Sequence, residues 1–237
     1  MQAVILAGGK GSRLGALAAG LPKPLVDVGG KPFLLYWIET LHRFGIVDIV
    51  LLVGPFAELY ESRLGDGAPF GVRLTLIPEE PPADTAGALR YAASILEPYF
   101  LLLNGDSFFD FDLVDLTVRP MAGRWLARLA LREVDDVTRF GAVTLAGDRV
   151  VGFGEKAASG RGFINAGVYW LNREVLESIG PPPVSLERQL LPKLVAEGLV
   201  RGVVYSGSFI DIGTPGDLAR GRLLMPQFAK RPSAPNS

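Results

Sequence analysis

The chain opens with the stretch AVILAGGKGSR (residues 3–13), and PKP (residues 22–24) follows it closely. The apolar residues of this stretch predict a β-strand that ends where the glycines begin. The glycines can take a positive φ and can present backbone N–H groups to an anion. Arg13 and Lys23 add two positive charges. We interpret this part of the chain as a phosphate-binding loop at the end of the first strand of an α/β sheet.

Two common phosphate-binding motifs do not fit this loop. A P-loop requires Gly, four residues and then Gly-Lys-Ser/Thr, but Gly9-Lys10 is followed by Gly11, and Val4 stands where the first glycine is needed. The dinucleotide fingerprint G-x-G-x-x-G, started at Gly9, requires a glycine where Leu14 stands. Both motifs are excluded. Without the dinucleotide fingerprint, a Rossmann oxidoreductase is excluded as well.

The opening stretch resembles the signature of the sugar-1-phosphate nucleotidylyltransferases, which reads roughly L-A-G-G-x-G-T/S-R-L, a spacer and then P-K-P. Here it stands as LAGGKGSRL (residues 6–14), a spacer and PKP. The resemblance implies that the loop wraps a nucleotide triphosphate with Leu6, Ala7, Gly8, Gly9, Gly11 and Ser12. It also implies that Arg13 holds the leaving pyrophosphate and that Lys23 reaches the reacting phosphate.

Two aspartates follow apolar runs. Asp106 ends Asn104-Gly105-Asp106 directly after three leucines, and Asp211 lies in FIDIGTP (residues 209–215). Ligands of open α/β sheets bind beyond the carboxyl ends of the strands. Both strings match metal aspartates of the family, so the resemblance implies that Asp106 and Asp211 coordinate Mg²⁺ and that Asn104 and Gly105 lie beside the nucleotide. Magnesium takes one or two carboxylates plus phosphate oxygens, which suits two phosphorylated substrates.

The predicted catalytic residues are Arg13, Lys23 and Asp106. The sequence shows no paired nucleophile and base, as expected for phosphoryl chemistry that needs positioning and charge stabilisation. The single histidine, His42, lies late in a predicted helix and is interpreted as a surface or packing residue. Asp110 and Asp112 alternate with phenylalanines and are interpreted as a solvated strand or turn edge.

Three later strings match the sugar-phosphate half of the family: RFG (139–141), GEK (154–156) and NAG (165–167). The string GEK departs slightly from the family pattern, because the family has a glutamate where Gly154 stands. A carboxylate such as Glu155 suits a vicinal diol, and an ammonium such as Lys156 suits a phosphate. The resemblance implies sugar-phosphate contacts from Lys23, Gly141, Glu155, Lys156, Asn165 and Thr214.

The stretch EEPPADTAGA (79–88) bears on the choice of base. Relatives often carry L-G-T-G/A-G-A here, so Asp84 replaces a glycine beside the base pocket, and Glu79 and Thr85 are assigned to the nucleotide with it. Guanine offers two adjacent N–H donors that one carboxylate can accept, whereas thymine and uracil flank a single N–H with carbonyls. Asp84 therefore favours GTP. Its other interpretation is an N-cap of the following helix, and the two roles do not exclude each other.

Within the family the chain looks most similar to the D-glycero-D-manno-heptose 1-phosphate guanylyltransferases and their mannose-1-phosphate relatives. This implies transfer of GMP from GTP to a heptose 1-phosphate, in nucleotide-sugar biosynthesis for lipopolysaccharide or capsule. A mannose-1-phosphate guanylyltransferase and a hexose-1-phosphate thymidylyl- or uridylyltransferase are the close alternatives. A nucleotide-sugar sensor without turnover is an alternative of another class. Such a sensor would be expected to lack Arg13, Lys23 or a metal aspartate, and all are present.

Composition limits the remaining choices. The chain has 237 residues and a formal net charge of -1, so it can bury a large core and has no basic excess for nucleic acid. It has no cysteine and one histidine, which excludes disulfides and thiolate metal sites. No apolar run reaches about 18 residues and no signal-peptide pattern opens the chain. We expect a cytoplasmic enzyme that binds small-molecule substrates but neither nucleic acid nor membrane, and a homodimer is compatible with the sequence.

Apolar runs alternate with amphipathic segments in the first half of the chain, which is typical of βαβ units. This pattern predicts strands at 2–7, 47–53, 72–77 and 99–103 and helices at 32–44 and 85–96. Later β-like runs predict an antiparallel or mixed part of the sheet at 125–131, 140–145, 149–153 and 163–171. A helix is predicted at 185–197, with Ser185 as its N-cap and Gly198 as its stop.

Together with the resemblance, these elements predict a Rossmann-like, three-layer α/β/α fold of the nucleotide-diphospho-sugar transferase type, with a mixed, mainly parallel central sheet. We expect one domain at 1–225, with an NTP-binding half at about 1–120 and a sugar-phosphate half at about 121–225. Residues 226–237 are predicted to be a flexible tail, because they are rich in proline and polar residues.

Overall fold

The computed structural model describes residues 1–9, 11–18, 20–154 and 160–228, apart from the side chains of Ser12, Arg13 and Ala16. These residues pack as two compact units. The first unit is drawn from Met1–Pro82, Leu103–Phe108 and Ile210–Ser237, and the second from Ala83–Leu102 and Phe109–Phe209. The sequence analysis instead divided the chain at about residue 120, into an NTP-binding half and a sugar-phosphate half. That division by function stays a prediction.

Strands and helices alternate in the first half of the chain, as the sequence predicts, and strands β6 to β9 follow one another in the second half. The strands are β1 (Gln2–Leu6), β2 (Asp48–Gly54), β3 (Arg73–Pro78), β4 (Tyr99–Asn104), β5 (Ser107–Phe109), β6 (Ala127–Val134), β7 (Val143–Ala146), β8 (Arg149–Phe153), β9 (Gly162–Asn172), β10 (Val200–Tyr205) and β11 (Phe209–Asp211). The α-helices are α1 (Phe33–Arg43), α2 (Ala57–Leu64), α3 (Asp84–Gly87), α4 (Leu113–Val118), α5 (Leu191–Ala196) and α6 (Pro215–Leu224). The α/β fold class is confirmed. No helix in the described ranges is long and apolar enough to cross a membrane.

The first unit contains a parallel sheet in the order β3-β2-β1. Val4 and Ile5 of β1 and Leu51 of β2 are almost completely buried, which explains why these strands read as continuous apolar runs. Leu6 pairs with Leu52, so β1 and β2 end at the same edge of the sheet. The loop that follows β1 therefore starts beside the end of β2.

Helix α1 covers the predicted helix at 32–44 and buries one face. Phe33, Trp37 and Leu41 are fully buried, because residues four apart share a face of a helix. The Trp37 indole donates a hydrogen bond of 2.6 Å to the Ser107 carbonyl, and its ring lies 4.7 Å from that of Phe108. These contacts fasten the segment that carries Asp106 to the core of the first unit.

The second unit contains a mixed sheet in the order β9-β6-β10-β8-β7. Strands β6 and β10 are parallel, whereas β9, β8 and β7 run antiparallel to their neighbours. The predicted mixed part of the sheet is thereby confirmed. In β9 the register shifts opposite Leu129 and Leu131, and Gly167 there has φ +73. This β-bulge lies directly after Asn165.

The predicted helix at 85–96 is wrong in extent. Helix α3 has four residues and passes into a 3₁₀ turn at Ala88–Arg90, and the amides of Tyr91 and Ala92 bond three residues back. The amides of Ala86 and Gly87 bond to the Val184 carbonyl. The buried alanines and leucines of this segment suggested a helix, but an apolar repeat of three to four residues does not distinguish tight turns from an α-helix.

The predicted start and end of the 185–197 helix are confirmed. The Ser185 hydroxyl accepts a hydrogen bond from the Arg188 amide, and a π-helical turn (Leu186–Leu190) leads into α5. Gly198 has φ +72 after the helix. At the end of the chain Phe228 is buried with its ring 5.2 Å from that of Phe108, which differs from the predicted tail. Residues 229–237 lie outside the described residues.

Asp112 is exposed, as its interpretation as a solvated edge requires, but it also has a structural role. Its carboxylate accepts hydrogen bonds from the Val114 and Asp115 amides at 2.9 and 3.3 Å, so it is the N-cap of α4. The first amides of a helix have no partner within the helix, and an N-cap carboxylate satisfies them.

The substitution Asp112→Ala should lower the free energy of unfolding by about 1 kcal/mol, because the first amides of α4 lose their acceptor. Thermal unfolding followed by circular dichroism should show a melting temperature lower by roughly 2–4 °C for a chain of this size. Asp112→Asn keeps an acceptor and should melt close to the wild type. An alanine variant that melts with the wild type would contradict the capping role.

Candidate active site

The glycine loop starts at the edge of the parallel sheet in the first unit. The Ala7 amide bonds to the Leu52 carbonyl at 2.8 Å, which extends the sheet pairing one residue past β1. Gly9 is exposed, and a Cβ on it would meet no atom within 4 Å. The loop therefore leaves the sheet with its backbone open on one side, as a site for an anion requires.

Gly8 is needed because the loop touches the end of β2. A Cβ on Gly8 would lie 3.0 Å from the Gly54 amide nitrogen and 3.1 Å from Oε1 of the buried Glu79. The Glu79 amide in turn bonds to the Gly54 carbonyl at 3.3 Å. Glu79, predicted to lie at the nucleotide, thus packs behind the loop, and Gly54 is a loop-supporting residue that the sequence analysis did not identify.

Tyr60 of α2 holds the start of the loop through a hydrogen bond. Its hydroxyl donates a hydrogen bond of 2.9 Å to the Ala7 carbonyl, and its side chain is fully buried. Burial raises the pKa of the Tyr60 hydroxyl far above its ordinary value, so the group remains a donor. The sequence analysis missed this residue, since a tyrosine inside an amphipathic helix carries no distinguishing signal.

Arg13 and Ser12 follow in a 3₁₀ segment, Ser12–Ala18, whose first residues continue the loop. The predicted phosphate contacts of their side chains lie outside the described residues. Gly11, just before them, has φ +63, and a Cβ there would meet Lys23 Cγ at 3.1 Å. The end of the loop is therefore packed against the stem of Lys23.

Lys23 and Asp106 form an ion pair. The Lys23 ammonium lies 2.7 Å from Oδ2 of Asp106, with 11% of the lysine side chain and 35% of the aspartate side chain exposed. The Gly105 amide bonds to the Leu6 carbonyl at 3.0 Å, which brings the end of β4 to the end of β1. The structure thus joins three sequence-predicted parts of the site: the glycine loop, Lys23 and Asp106, with Asn104 half-buried beside them.

The second predicted metal aspartate reaches the same region of the first unit. The Ile212 amide bonds to the Asp106 carbonyl at 3.0 Å, so the backbone next to Asp211 is paired with the backbone of Asp106. Oδ1 of Asp211 accepts a hydrogen bond from the Gly213 amide at 2.9 Å. This bond holds the carboxylate in a defined orientation.

The donor set of this region suits Mg²⁺. Asp106 and Asp211 supply carboxylate oxygens, and no group of three or more His, Cys, Asp or Glu side chains is placed for a metal within residues 1–9, 11–18, 20–154 and 160–228. Magnesium commonly binds through one or two carboxylates and completes its shell with phosphate oxygens and water. Two carboxylates are therefore enough for a metal that arrives with a phosphorylated ligand.

Thr214 has a structural role in the same unit. It is the N-cap of α6, where its hydroxyl accepts from the Asp217 amide at 3.4 Å and donates to the Asp217 carboxylate. Its contact with a sugar phosphate stays a prediction.

Asp84 lies in the second unit and is not the N-cap of α3, which corrects one of its two interpretations. The position before the helix is Ala83, and no side chain caps it. Asp84 has φ +60, a conformation that aspartate tolerates better than most residues, and its carboxylate accepts a hydrogen bond from the Thr85 amide at 2.6 Å. The Asp84 side chain is exposed. Thr85 accepts a hydrogen bond of 2.8 Å from the Leu186 amide.

The predicted sugar residues of the second unit are described in part. Asn165 is half-buried, donates to the Tyr169 hydroxyl at 2.7 Å and accepts from the Gly167 amide at 3.1 Å. Gly141 has φ +85 and donates its amide to the Val137 carbonyl. Glu155 and Lys156 lie outside the described residues. His42 is exposed and contacts the Gly71 carbonyl, which agrees with its interpretation as a surface residue.

The chain is similar to known nucleotidyl transferases. The family model described as "Nucleotidyl transferase" matches residues 2–226. The D-glycero-alpha-D-manno-heptose 1-phosphate guanylyltransferase of Campylobacter jejuni is 31% identical over 218 residues, which are 92% of this chain and 96% of that protein. The probable mannose-1-phosphate guanylyltransferase 1 of Oryza sativa is 34% identical over 99% of this chain and 67% of that protein.

A solved structure gives a similar result. The crystal structure of HddC from Yersinia pseudotuberculosis complexed with GMP-PN matches with a TM-score of 0.82 and 31% identity, over 94% of this chain and 99% of that one. The likeness therefore extends over both compact units of the chain.

Tyr60→Phe should lower the free energy of unfolding by about 1–3 kcal/mol, because the buried Ala7 carbonyl loses its side-chain donor. Chemical denaturation would measure this change. Tyr99→Phe removes a hydroxyl from a side chain that is 43% exposed and should stay within about 0.5 kcal/mol of the wild type. If the two variants are equally stable, the Tyr60 hydroxyl does not support the loop.

Proposed function

The chain belongs to the nucleotidyl transferase family, and we propose that it transfers GMP from GTP to D-glycero-D-manno-heptose 1-phosphate. The products are the GDP-heptose and pyrophosphate. The proposal joins the family chemistry to two finer assignments, the guanine base and the heptose, that are argued separately below.

The observation that carries the proposal is the Lys23–Asp106 ion pair beside the glycine loop. A loop of exposed amides suits the phosphates of a nucleotide. The Lys23 ammonium, beside the loop that follows β1, adds a localised positive charge. The paired carboxylate belongs to the predicted metal site. Cation, carboxylate and amides are the groups that phosphoryl chemistry requires of a protein.

In the proposed reaction an oxygen of the sugar phosphate attacks the α-phosphorus of GTP in line. The bond from that phosphorus to the bridging oxygen breaks, and pyrophosphate leaves with the electron pair. The glycine loop binds the triphosphate through its backbone, and Lys23 stabilises the charge that develops at the α-phosphate. Arg13 binds the leaving pyrophosphate. No covalent intermediate on the protein is needed.

Asp106 and Asp211 would hold Mg²⁺ together with the substrate phosphates. Bound there, the metal would offset the negative charge of the triphosphate and sugar phosphate, which two cationic side chains cannot do by themselves. The hydrogen bonds at the Asp106 carbonyl and the Asp211 carboxylate hold both aspartates in position for this role.

The choice of guanine rests on Asp84. Its carboxylate is exposed and makes no capping bonds in α3, so it is available to accept from the N1–H and N2–H₂ groups of guanine. Support comes from relatives named guanylyltransferases and from the HddC structure complexed with GMP-PN.

The choice of sugar rests on the relatives. The Campylobacter protein is named for D-glycero-alpha-D-manno-heptose 1-phosphate and matches over nearly its whole length. Mannose 1-phosphate is the second candidate, because other relatives of similar identity are named for it. We further propose that the reaction takes place in the cytoplasm and feeds lipopolysaccharide or capsule biosynthesis.

Incubation with each NTP, Mg²⁺ and a panel of sugar 1-phosphates should release pyrophosphate fastest with GTP. A discrimination of at least ~10-fold in kcat/KM over dTTP and UTP is expected, because the carboxylate would be left facing a carbonyl by those bases. Asp84→Asn should reduce this discrimination. Release with dTTP or UTP and not with GTP would contradict the role of Asp84, and no release with any pair would favour the inactive sensor.

Asp106→Asn should reduce pyrophosphate release by at least ~100-fold, because a metal ligand and the partner of Lys23 are lost together. The rise in melting temperature caused by GTP with Mg²⁺ should also disappear in this variant, which gives a readout independent of turnover. Asp135→Asn makes the same chemical change at an exposed aspartate and should behave as the wild type. A fully active Asp106→Asn enzyme would refute the metal assignment.

A further inference from the structure

The β-bulge in the second unit lies between Asn165 and Tyr169 of β9. Asn165 pairs with Leu131 and Tyr169 with Leu129, so three residues of β9 stand opposite one residue of β6. Gly167 lies in the middle of the bulge and has φ +73. Bulges are common beside functional sites, where they turn a side chain away from the direction that a regular strand would give it. Asn165 is the residue directly before this bulge.

The Asn165 amide is held from both ends. Its Oδ1 accepts from the Gly167 amide at 3.1 Å, and its Nδ2 donates to the hydroxyl of the fully buried Tyr169 at 2.7 Å. These bonds fix which end of the amide is the oxygen. An amide has two N–H donors, and the bond to Tyr169 uses one of them.

A carboxylate is brought next to this fixed amide from a different element. Glu187 lies in the π-helical turn, whose start is held by the Ser185 cap and by the bond from the Leu186 amide to Thr85. Oε1 of Glu187 lies 3.5 Å from Asn165 Nδ2 and 3.4 Å from the Tyr169 hydroxyl. Glu187 is exposed to solvent.

The contacts of Glu187 are longer than those of a structural carboxylate in the same unit. In the same unit the Tyr205 hydroxyl donates to Asp115 at 2.7 Å, which is the distance of a structural tyrosine–carboxylate bond. The contacts of Glu187 lie at the outer limit of a hydrogen bond. A carboxylate offers about four acceptor sites, and the two weak donors found among the described residues leave most of that capacity for a ligand.

We propose that Glu187 is a specificity-determining residue that accepts hydrogen bonds from ring hydroxyls of the sugar 1-phosphate, with Asn165 as the fixed donor beside it. The proposal rests on the proposed function. A donor and an acceptor side by side match two neighbouring hydroxyls, one of which accepts while the other donates. A sugar without one of those hydroxyls would leave the carboxylate desolvated and unpaired, so the site would reject it.

The test compares Glu187→Gln with the wild type at saturating GTP and Mg²⁺. The isosteric amide keeps the shape but removes the charge, so KM for mannose 1-phosphate and for heptose 1-phosphate should rise ~10- to 100-fold while KM for GTP stays unchanged. Glu197→Gln makes the same change at an exposed glutamate after α5 and should leave both KM values unchanged.

A panel of 2-, 3- and 4-deoxy derivatives of mannose 1-phosphate then identifies the hydroxyl. The deoxy sugar that lacks it should be a poor substrate for the wild type, and Glu187→Gln should impose little further loss on that sugar, because the lost interaction is the same. Independent, additive losses with every derivative would overturn the proposal.

The remaining outcomes separate this proposal from the proposed function. If the wild type releases no pyrophosphate with any sugar 1-phosphate, the proposed function fails. If the wild type is active and Glu187→Gln has an unchanged KM for the sugar, only the role of Glu187 fails. A fall in melting temperature together with an equal rise of the KM for GTP and the KM for the sugar 1-phosphate would show a structural role instead. Glu187→Asp, which keeps the charge, provides a second variant should the amide variant not fold.

Discussion

One hydrogen bond joins the two strand ends on which the site of the first unit depends. The Gly105 amide donates to the Leu6 carbonyl at 3.0 Å, where β1 and β4 both end. Each strand delivers a different chemical group at this point: β1 leads into the glycine loop, and β4 leads to Asp106. Because Leu6 ends β1 and Gly105 follows β4, this bond makes neighbours of groups that are far apart in the chain.

The charges at this edge depend on their partial burial. The Lys23 side chain is 11% exposed and that of Asp106 is 35% exposed, so the pair is screened less than an ion pair on the surface. Removing either partner would leave the other charge partly buried without compensation. Lys23 is also packed by Gly11, so the lysine links the geometry of the loop to the charge of Asp106.

The second unit uses a different device for positioning. Its polar groups are placed by a bulge in β9 and by a π-helical turn, both irregular variants of ordinary elements. The bonds from Gly167 and Tyr169 fix Asn165, and the bond from Leu186 to Thr85 fixes the turn that carries Glu187. Local departures from regular structure thus supply a precision that a regular strand or helix would not give at these positions.

Much of the site could be predicted from the sequence, because its key groups follow short local patterns. The glycine loop after an apolar run, the Asn104-Gly105-Asp106 turn and the Ser185 cap each depend on neighbouring residues, and local chemistry determines such features. Other residues could not be found in this way. Tyr60 contacts Ala7, which lies 53 positions away in the chain, and Trp37 contacts Ser107, which lies 70 positions away. No local sequence pattern identifies Tyr60 or Trp37.

The sequence by itself determined the α/β class, the phosphate-binding loop and the family, because these depend on periodicity and on contiguous motifs. The tertiary structure decided what the individual side chains do. The sequence left Asp84 with two compatible roles, a helix cap and a ligand contact, and the structure removes the first because no side chain caps α3. Separate motifs assigned Lys23 to the reacting phosphate and Asp106 to the metal, and only the folded chain pairs them. The physical reason is the same in each case: hydrogen bonds and ion pairs act over about 3 Å, and only the packing of distant segments decides which groups come that close.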